Sequence, residues 1–127
     1  MQDANFNISA SCNRVNVSDG HTESVFLSLE GQPSTQEIER ALAAFKGEPQ
    51  KLKLHTAPEK PIIVYKESDR PQPRKDRWLG KGMSVSVGNI RKDFQGVKFT
   101  VLSHNTVRGA AGASILNAEL LKAKGYL

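Results

Sequence analysis

A fixed cation and a titratable imidazole lie seven positions apart in the stretch RVNVSDGH, which runs from Arg14 to His21. A guanidinium can grip a carboxylate with two hydrogen bonds, and an imidazole exchanges protons near neutral pH, so the pair could serve one small-molecule site. The residues between them disfavour a helix. A continuous strand would point them to opposite faces, whereas a turn at residues 18–20 would reset the alternation and let them converge.

Both side chains also have an ordinary interpretation. A histidine that follows a turn is most often a solvated surface residue, and nothing local excludes this for His21. Arg14 lies in a stretch without other charges, and a guanidinium inside a strand needs an anionic partner. That partner could be a substrate carboxylate, or a protein carboxylate such as Asp19 or Glu23. The residues alone leave these alternatives open.

Three further features could contribute to a site. Cys12 is the one thiol in the chain and could pair with His21, but a single cysteine within a strand is more often a small buried apolar residue. We therefore reject Cys12 as a nucleophile. The sequence RGAAG, residues 108–112, is a weak nucleotide-binding pattern, because its spacing is Gly-x-x-Gly rather than Gly-x-Gly-x-x-Gly. Asn105 could cap a helix or contact a ligand, and capping is the simpler prediction.

The composition indicates one globular domain. A chain of 127 residues with 38% hydrophobic and 24% charged residues can form one core and is typical of a soluble protein. No apolar run is long enough to span a bilayer, the N-terminus lacks signal-peptide features, and one cysteine excludes an internal disulfide framework. No Cys/His spacing resembles a zinc site, and His55 and His104 join no recognisable group. We expect a cytoplasmic protein without a membrane partner.

The net charge of +5 favours anionic partners such as nucleic acid, phosphate, a nucleotide cofactor or an acidic metabolite. The basic residues concentrate between Lys66 and Lys92, and the simpler interpretation is a solvated basic surface. The alternative is a nucleic-acid-binding module that uses the segment from Arg70 to Lys81. Against it, only Trp78 supplies an aromatic ring there, and no nucleic-acid-binding motif is present.

Residue periodicity predicts an α+β fold. Strands are predicted at residues 7–17, 22–30, 61–66, 83–90 and 97–104, the last two as a hairpin. One helix follows a capping box formed by Ser34 and Glu37, and a second runs from Asn105 as N-cap to Gly125 as C-cap. Residues 67–82 are predicted to be an irregular loop because of their prolines. The expected architecture is a mixed, largely antiparallel sheet covered by helices, in one unit spanning residues 1–127.

Three motifs, in this order, resemble aspartate-semialdehyde dehydrogenases of the fungal and archaeal branch. They read SCNRVNVSDGHTESV, RPQPRKDRWLGKGMSVSVG and SHNTVRGAAGASILNAELL. This family makes L-aspartate 4-semialdehyde by reducing aspartyl phosphate with NADPH. The resemblance runs from about residue 8 to the C-terminus, and it implies that the chain is the C-terminal part of the family's catalytic and dimerisation domain.

The resemblance assigns roles to four residues. The family's arginine in the first motif holds the substrate's amino-acid carboxylate, and it matches Arg14. The family's histidine acts as the base beside the active-site thiol, and it matches His21. The asparagine before the Gly-Ala-Ala turn lies near the nicotinamide of NADP and matches Asn105, with Gly109 beside it. Holding a substrate in this way can supply a large part of an enzyme's rate enhancement.

Several parts of the family pattern have no counterpart in this chain. The N-terminal NADP-binding domain with its Gly-rich loop, the nucleophilic-cysteine motif and an upstream glutamate are absent, and Cys12 is not at the nucleophile's place. We therefore predict that the 127-residue chain alone is inactive. The resemblance implies a homodimer. The other expected partners are a small-molecule substrate, phosphate and the missing N-terminal domain, and no nucleic acid.

Overall fold

The computed structural model describes residues 15–94 and 96–127, which form four strands and four α-helices. The elements are β1 (His21–Leu27), α1 (Thr35–Ala44), α2 (Glu48–Lys51), β2 (Ile62–Val64), α3 (Pro73–Asp76), β3 (Val85–Asp93), β4 (Gly96–Ser103) and α4 (Gly112–Ala123). A 3-10 turn at Leu79–Gly82 precedes β3, and a π-type turn at Val107–Ala111 precedes α4. Within these two ranges no helix has the length and apolar character needed to cross a membrane.

The strands form one mixed sheet in the order β1-β4-β3-β2. β3 and β4 pair as an antiparallel hairpin, and β1 pairs antiparallel with the other side of β4. β2 is parallel to its neighbour β3. The chain between β1 and β2 crosses from one edge of the sheet to the other and includes α1. The predicted α+β class, with a mixed and largely antiparallel sheet, is confirmed.

The apolar core lies on the face of the sheet that α1 covers. Its buried members are Val87, Val97 and Phe99. Ile38 and Leu42, one helical turn apart on α1, pack against this cluster. The predicted capping box is present, since Ser34 Oγ accepts the Glu37 N–H at 3.3 Å and the Glu37 carboxylate accepts the Ser34 N–H at 2.8 Å. Two backbone donors at the helix start are thereby satisfied, which fixes where α1 begins.

The segment 67–82 covers the opposite face of β3. It approaches so closely at Gly88 that an added Cβ atom would collide with the Arg70 carbonyl and the ring of Pro71. The prediction of a wholly irregular loop is wrong, because Pro73 begins the short helix α3. Proline suits this position, since its fixed φ matches the helix and its missing N–H would have no partner in the first turn.

The C-terminal helix begins later than predicted. Asn105 is not its N-cap, because the π-type turn Val107–Ala111 separates it from Gly112, the first residue of α4. A Cβ atom at Gly112 would collide with the sulfur of Met83, so glycine lets the helix start lie against the residues just before β3. The helix ends near the predicted C-cap, since Gly125 has φ +75°, the left-handed conformation that terminates helices.

Several predicted strand boundaries shift. β1 ends at Leu27, earlier than predicted, because the chain turns at Gly31, where φ is +74°. The hairpin is tighter than expected, since β3 continues to Asp93. The predicted strand at 7–17 lies mostly outside the described residues, and its described part, residues 15–17, is not in a strand.

Candidate functional site

One hydrogen bond joins two segments that are remote in sequence. The Gly20 backbone N–H donates to Asn105 Oδ1 at 2.8 Å, across 85 positions of the chain. The next residue, His21, begins β1 and pairs with Ser103 of β4. The turn that delivers His21 is therefore held by the strand pairing on one side and by an amide side chain on the other.

The same turn is packed against the segment 67–82. Gly20 is buried and has φ +104°, a conformation that side chains of L-residues rarely adopt. A Cβ atom there would also contact the side chains of Pro73 and Arg77. Glycine is thus required at position 20 for both reasons, and the turn predicted from the Ser-Asp-Gly sequence lies directly on the start of α3.

Beside this turn, His104 lies under Trp78. His104 is buried, whereas the Trp78 side chain is largely exposed. Their ring centroids are 4.3 Å apart with an interplanar angle of 66°, an edge-to-face arrangement that aromatic rings favour. His104 Nδ1 lies 3.2 Å from Thr106 Oγ1, and the His104 carbonyl accepts the Gly109 N–H at 3.1 Å. No pattern in the sequence predicts a role for His104, so the contact between Trp78 and His104 was not predicted.

A buried carboxylate fixes the segment 67–82 over the sheet. Asp76 is fully buried and accepts hydrogen bonds from Arg70 Nε at 2.8 Å, the Gln72 N–H at 2.6 Å and the Tyr65 hydroxyl at 3.0 Å. A second Arg70 nitrogen completes the ion pair. Burial by itself raises the pKa of the Asp76 carboxyl, but these hydrogen bonds hold that pKa below its ordinary value of 3.8. Burial, and then the bond to Asp76, raise the pKa of Tyr65.

Of the predicted site residues, Asn105 lies beside the turn that carries His21. His21 is exposed at the start of β1, and Asn105 contacts the residue immediately before it. Gly109 is exposed on the π-type turn that follows Asn105. Arg14 and Cys12 lie outside the described residues. The convergence of Arg14 with His21 on one site therefore stays a prediction.

The arrangement offers groups for proton transfer and for amide recognition. The exposed imidazole of His21 is carried on a fixed turn, where it can exchange a proton with a reacting group. Asn105 uses its oxygen to accept the Gly20 N–H, so its Nδ2 hydrogens are the atoms it can offer to a ligand carbonyl. A carboxamide fits such a donor. Across residues 15–94 and 96–127, no cluster of three or more His, Cys, Asp and Glu side chains could hold a metal ion.

A separate cavity of about 370 Å³ lies next to the start of α4. Its lining includes His55, Thr56, Lys81, Val107 and Gly112. The lining does not include His21, Asn105 or Gly109. The candidate site is therefore an open surface around the His21 turn, distinct from this cavity.

Residues 1–108 match the family model described as "Semialdehyde dehydrogenase, dimerisation domain". The aspartate-semialdehyde dehydrogenase of Methanothermobacter thermautotrophicus is 52% identical over 124 residues, which cover 95% of this chain and 36% of that relative. The malonyl CoA reductase (NADP) of Metallosphaera sedula is 45% identical over 123 residues, covering 94% of this chain and 34% of the relative. The chain thus spans about a third of the length of these curated relatives.

A solved structure agrees with the sequence matches. The crystal structure of aspartate-semialdehyde dehydrogenase with NADP from Candida albicans superposes with a TM-score of 0.76 at 45% sequence identity. The alignment covers 86% of this chain and 31% of that one. The fold described above is therefore found within a longer chain of the same family.

Proposed function

Because the chain belongs to the semialdehyde dehydrogenase dimerisation-domain family, we propose that it is the C-terminal catalytic part of an NADP-dependent aspartate-semialdehyde dehydrogenase. The proposed reaction is L-aspartate 4-semialdehyde + phosphate + NADP = 4-phospho-L-aspartate + NADPH. One observation carries the proposal at the level of the site. The Gly20 N–H donates to Asn105 across 85 positions of the chain, and this bond places Asn105 beside the turn that carries His21. Asn105 and His21 are two of the residues that the family resemblance singles out.

In this proposal His21 is the acid–base group. Its imidazole takes the proton from a thiol of the remaining enzyme as that thiol adds to the aldehyde carbon, and it returns the proton in the reverse direction. A fixed turn favours this role, because proton transfer needs the imidazole within hydrogen-bond reach of the reacting atom. Arg14 binds the amino-acid carboxylate of the substrate through its guanidinium, which keeps the aldehyde carbon oriented toward the thiol.

Asn105 and Gly109 form the cofactor-facing part of the site. The group that these residues would hold is NADP, which would supply the hydride acceptor when bound. The Nδ2 group of Asn105 would donate to the carboxamide of the nicotinamide, and the bare backbone at Gly109 would leave room for the ring. Gly109 suits this role, because the nearest atom to a Cβ added there would be the His104 carbonyl oxygen at 3.9 Å.

We further propose that the chain works as part of a homodimer in the cytoplasm. The family description names a dimerisation domain, which supports self-association in general. Large apolar side chains are also exposed on the described surface. Three of them are Phe26, Ile115 and Leu121. Exposed apolar groups of this size are typical of surfaces that another subunit or domain covers.

A chimera tests the proposed activity. Residues 1–127 would replace the matching C-terminal part of the Candida albicans enzyme, and phosphate-dependent reduction of NADP by L-aspartate 4-semialdehyde would be followed. We expect turnover by the chimera and none by the isolated 127-residue chain. A folded chimera without activity would count against the proposal. Oxidation of NADPH by malonyl-CoA, without turnover of the aspartate-derived substrate, would reassign the substrate.

The alternative, a nucleic-acid-binding module, receives less support from the contacts. Arg70, the first cation of the basic segment, is engaged by the buried carboxylate of Asp76. Salt-dependent binding to unrelated duplexes, lost on joint substitution of Arg74 and Arg77, would support the alternative. No binding at low salt would exclude it.

A further inference from the structure

We infer that Trp78 and His104 are positioning residues of the proposed site, acting through Ser103 and Asn105 on the turn that carries His21. The inference rests on the proposed function only in giving His21 a catalytic task. The geometry that supports it is independent of the reaction. It also assigns a role to the motif containing Trp78, which the proposed function leaves without one.

A buried imidazole at position 104 is expected to lower the stability of the fold. The residue is 1% exposed, and its Nε2 atom has no hydrogen-bond partner among the described residues. A buried polar atom without a partner destabilises a fold, and an apolar side chain of similar size would avoid that penalty. Packing alone therefore does not account for His104. What the imidazole adds is directional, because its Nδ1 atom lies 3.2 Å from the hydroxyl of Thr106.

The His104 ring is enclosed by its surroundings. Trp78 contacts it edge to face, with ring centroids 4.3 Å apart. Gly82, with φ +81°, leaves room on another side, since an added Cβ atom there would come within 3.3 Å of the imidazole. The Gly109 N–H binds the His104 carbonyl at 3.1 Å. Side chain and backbone of this residue are thus both held.

The two neighbours of His104 in the chain carry the effect to the His21 turn. Ser103 is the β4 partner of His21, and Asn105 accepts the Gly20 N–H. Trp78 adds a second connection, because it directly follows Arg77, whose side chain packs against Gly20. A displacement of the Trp78–His104 pair would therefore loosen both supports of the turn.

Hydrogen exchange at the Gly20 amide tests the inference without substrate or cofactor. In the 127-residue chain, His104→Phe and Trp78→Ala are expected to speed exchange of this amide by about three- to tenfold, the effect of weakening one ordinary hydrogen bond. The melting temperature of His104→Phe should stay at or above that of the parent, because the unpartnered nitrogen is removed. Trp78→Phe, which keeps an aromatic ring, and Phe94→Ala, at an exposed hairpin tip, serve as controls with parent-like exchange.

A second pair of variants covers the possibility that His104→Phe does not fold. Thr106→Val removes the hydroxyl near Nδ1 while keeping the shape of the side chain, and it should speed Gly20 exchange by a similar factor. Thr106→Ser should restore the parent rate. Parent-like Gly20 exchange in folded Thr106→Val and Trp78→Ala variants would overturn the inference. Equal acceleration at all β3 and β4 amides would also overturn it, since that pattern reports general destabilisation.

The active chimera supplies the link to catalysis. There His104→Phe should lower kcat by about three- to tenfold and leave the KM for L-aspartate 4-semialdehyde unchanged, because the contact to the substrate carboxylate is not altered. An unchanged kcat would overturn the link to His21. If the parent chimera is inactive, the proposed function fails, and the Gly20 exchange rates still decide the positioning inference.

Discussion

The support for His21 comes from the residues beside it. Its own imidazole is exposed, while Gly20 is held by Asn105 and Ser103 holds its backbone position across the sheet. Among residues 15–94 and 96–127, no hydrogen bond engages the His21 imidazole nitrogens, and the held backbone still limits where the ring can go. A side chain that must give and take a proton benefits from that arrangement, because hydrogen bonds to the protein would compete with those to the substrate.

The proposed role of Arg14 gives a kinetic prediction. In the active chimera, Arg14→Leu should raise the KM for L-aspartate 4-semialdehyde by about 10- to 100-fold, the loss expected for charge-assisted hydrogen bonds to a carboxylate. The KM for phosphate should change little. Arg14→Lys should recover part of the loss, since it keeps the charge without the planar fork. Equal rises in both KM values would argue against a carboxylate-specific role.

Substitutions can separate the two proposed functions of Asn105, which are accepting the Gly20 N–H and donating to the cofactor. Asn105→Asp keeps an oxygen that accepts the Gly20 N–H but removes the Nδ2 donors, so the KM for NADP should rise about tenfold, the value of one good hydrogen bond. Asn105→Ala removes both functions and should lower kcat as well. Steady-state kinetics of the chimera provide the measurement. A parent-like KM for NADP in Asn105→Asp would exclude the proposed carboxamide contact.

The sequence predicted that Asn105 caps the following helix, and this prediction is wrong. Local sequence favours an asparagine oxygen that accepts an N–H of its own helix. The actual donor, Gly20, lies 85 positions away, and no periodicity carries that information. Position 104 was missed for a similar reason, since its burial depends on how the distant segment 67–82 folds over the sheet.

Among the elements, the segment 67–82 connects the sheet to the His21 turn, because it packs against both. The sequence favoured a solvated basic surface for this segment. One of its cations, Arg70, instead pairs with the buried carboxylate of Asp76. Elements defined by local rules were predicted better. The capping box of α1 and the β3–β4 hairpin depend on neighbouring residues, whereas the fold of this segment depends on contacts with β3.

Because Asp76 is buried and Asp69 is exposed, replacing each with asparagine should change the stability of the protein by very different amounts. Asp76→Asn leaves the Arg70 charge without its buried partner and should lower the free energy of unfolding by about 3 kcal/mol. Asp69→Asn is the matched control, because the Asp69–Lys75 pair is exposed, and it should change stability far less than Asp76→Asn does. Urea denaturation of both variants measures the difference. Similar values for the two would contradict a structural role for the buried pair.

The pH dependence of stability follows from the same carboxyl. Because the folded-state pKa of Asp76 lies below its ordinary value of 3.8, its contribution is fully present above that value. The contribution is lost as the pH falls through the lower folded-state pKa. The parent should therefore lose stability below about pH 4 more steeply than Asp76→Asn does. Parallel stability curves for the two proteins would count against this assignment.

For the molecule as a whole, two features support the proposal that this chain works as one part of a longer enzyme. Its matched relatives are about three times as long, and its described surface exposes large apolar side chains, including Phe26 at 65%. The candidate site is likewise open rather than enclosed. Under the proposed function, the rest of the enzyme would supply the thiol, most of the cofactor site and the exclusion of water from the reaction.

The exposed apolar side chains predict self-association of the chain. The isolated chain, of 13.9 kDa, should sediment as a dimer at high protein concentration and dissociate on dilution. Association should persist in salt, since apolar contact rather than charge pairing is expected to drive it. Sedimentation equilibrium over a concentration series gives the measurement. A monomer at every concentration would remove the support for a homodimer formed by this part of the enzyme.

The kcat of His21→Asn in the chimera measures whether His21 is the acid–base group. Asparagine keeps a polar side chain of similar reach but cannot exchange protons near neutral pH. We predict that kcat falls by about 10²- to 10⁴-fold, the usual contribution of a general acid–base group. The KM for L-aspartate 4-semialdehyde should stay close to that of the parent, and Phe94→Ala should be fully active. A His21→Asn chimera that retained the parent kcat would exclude His21 as the acid–base group.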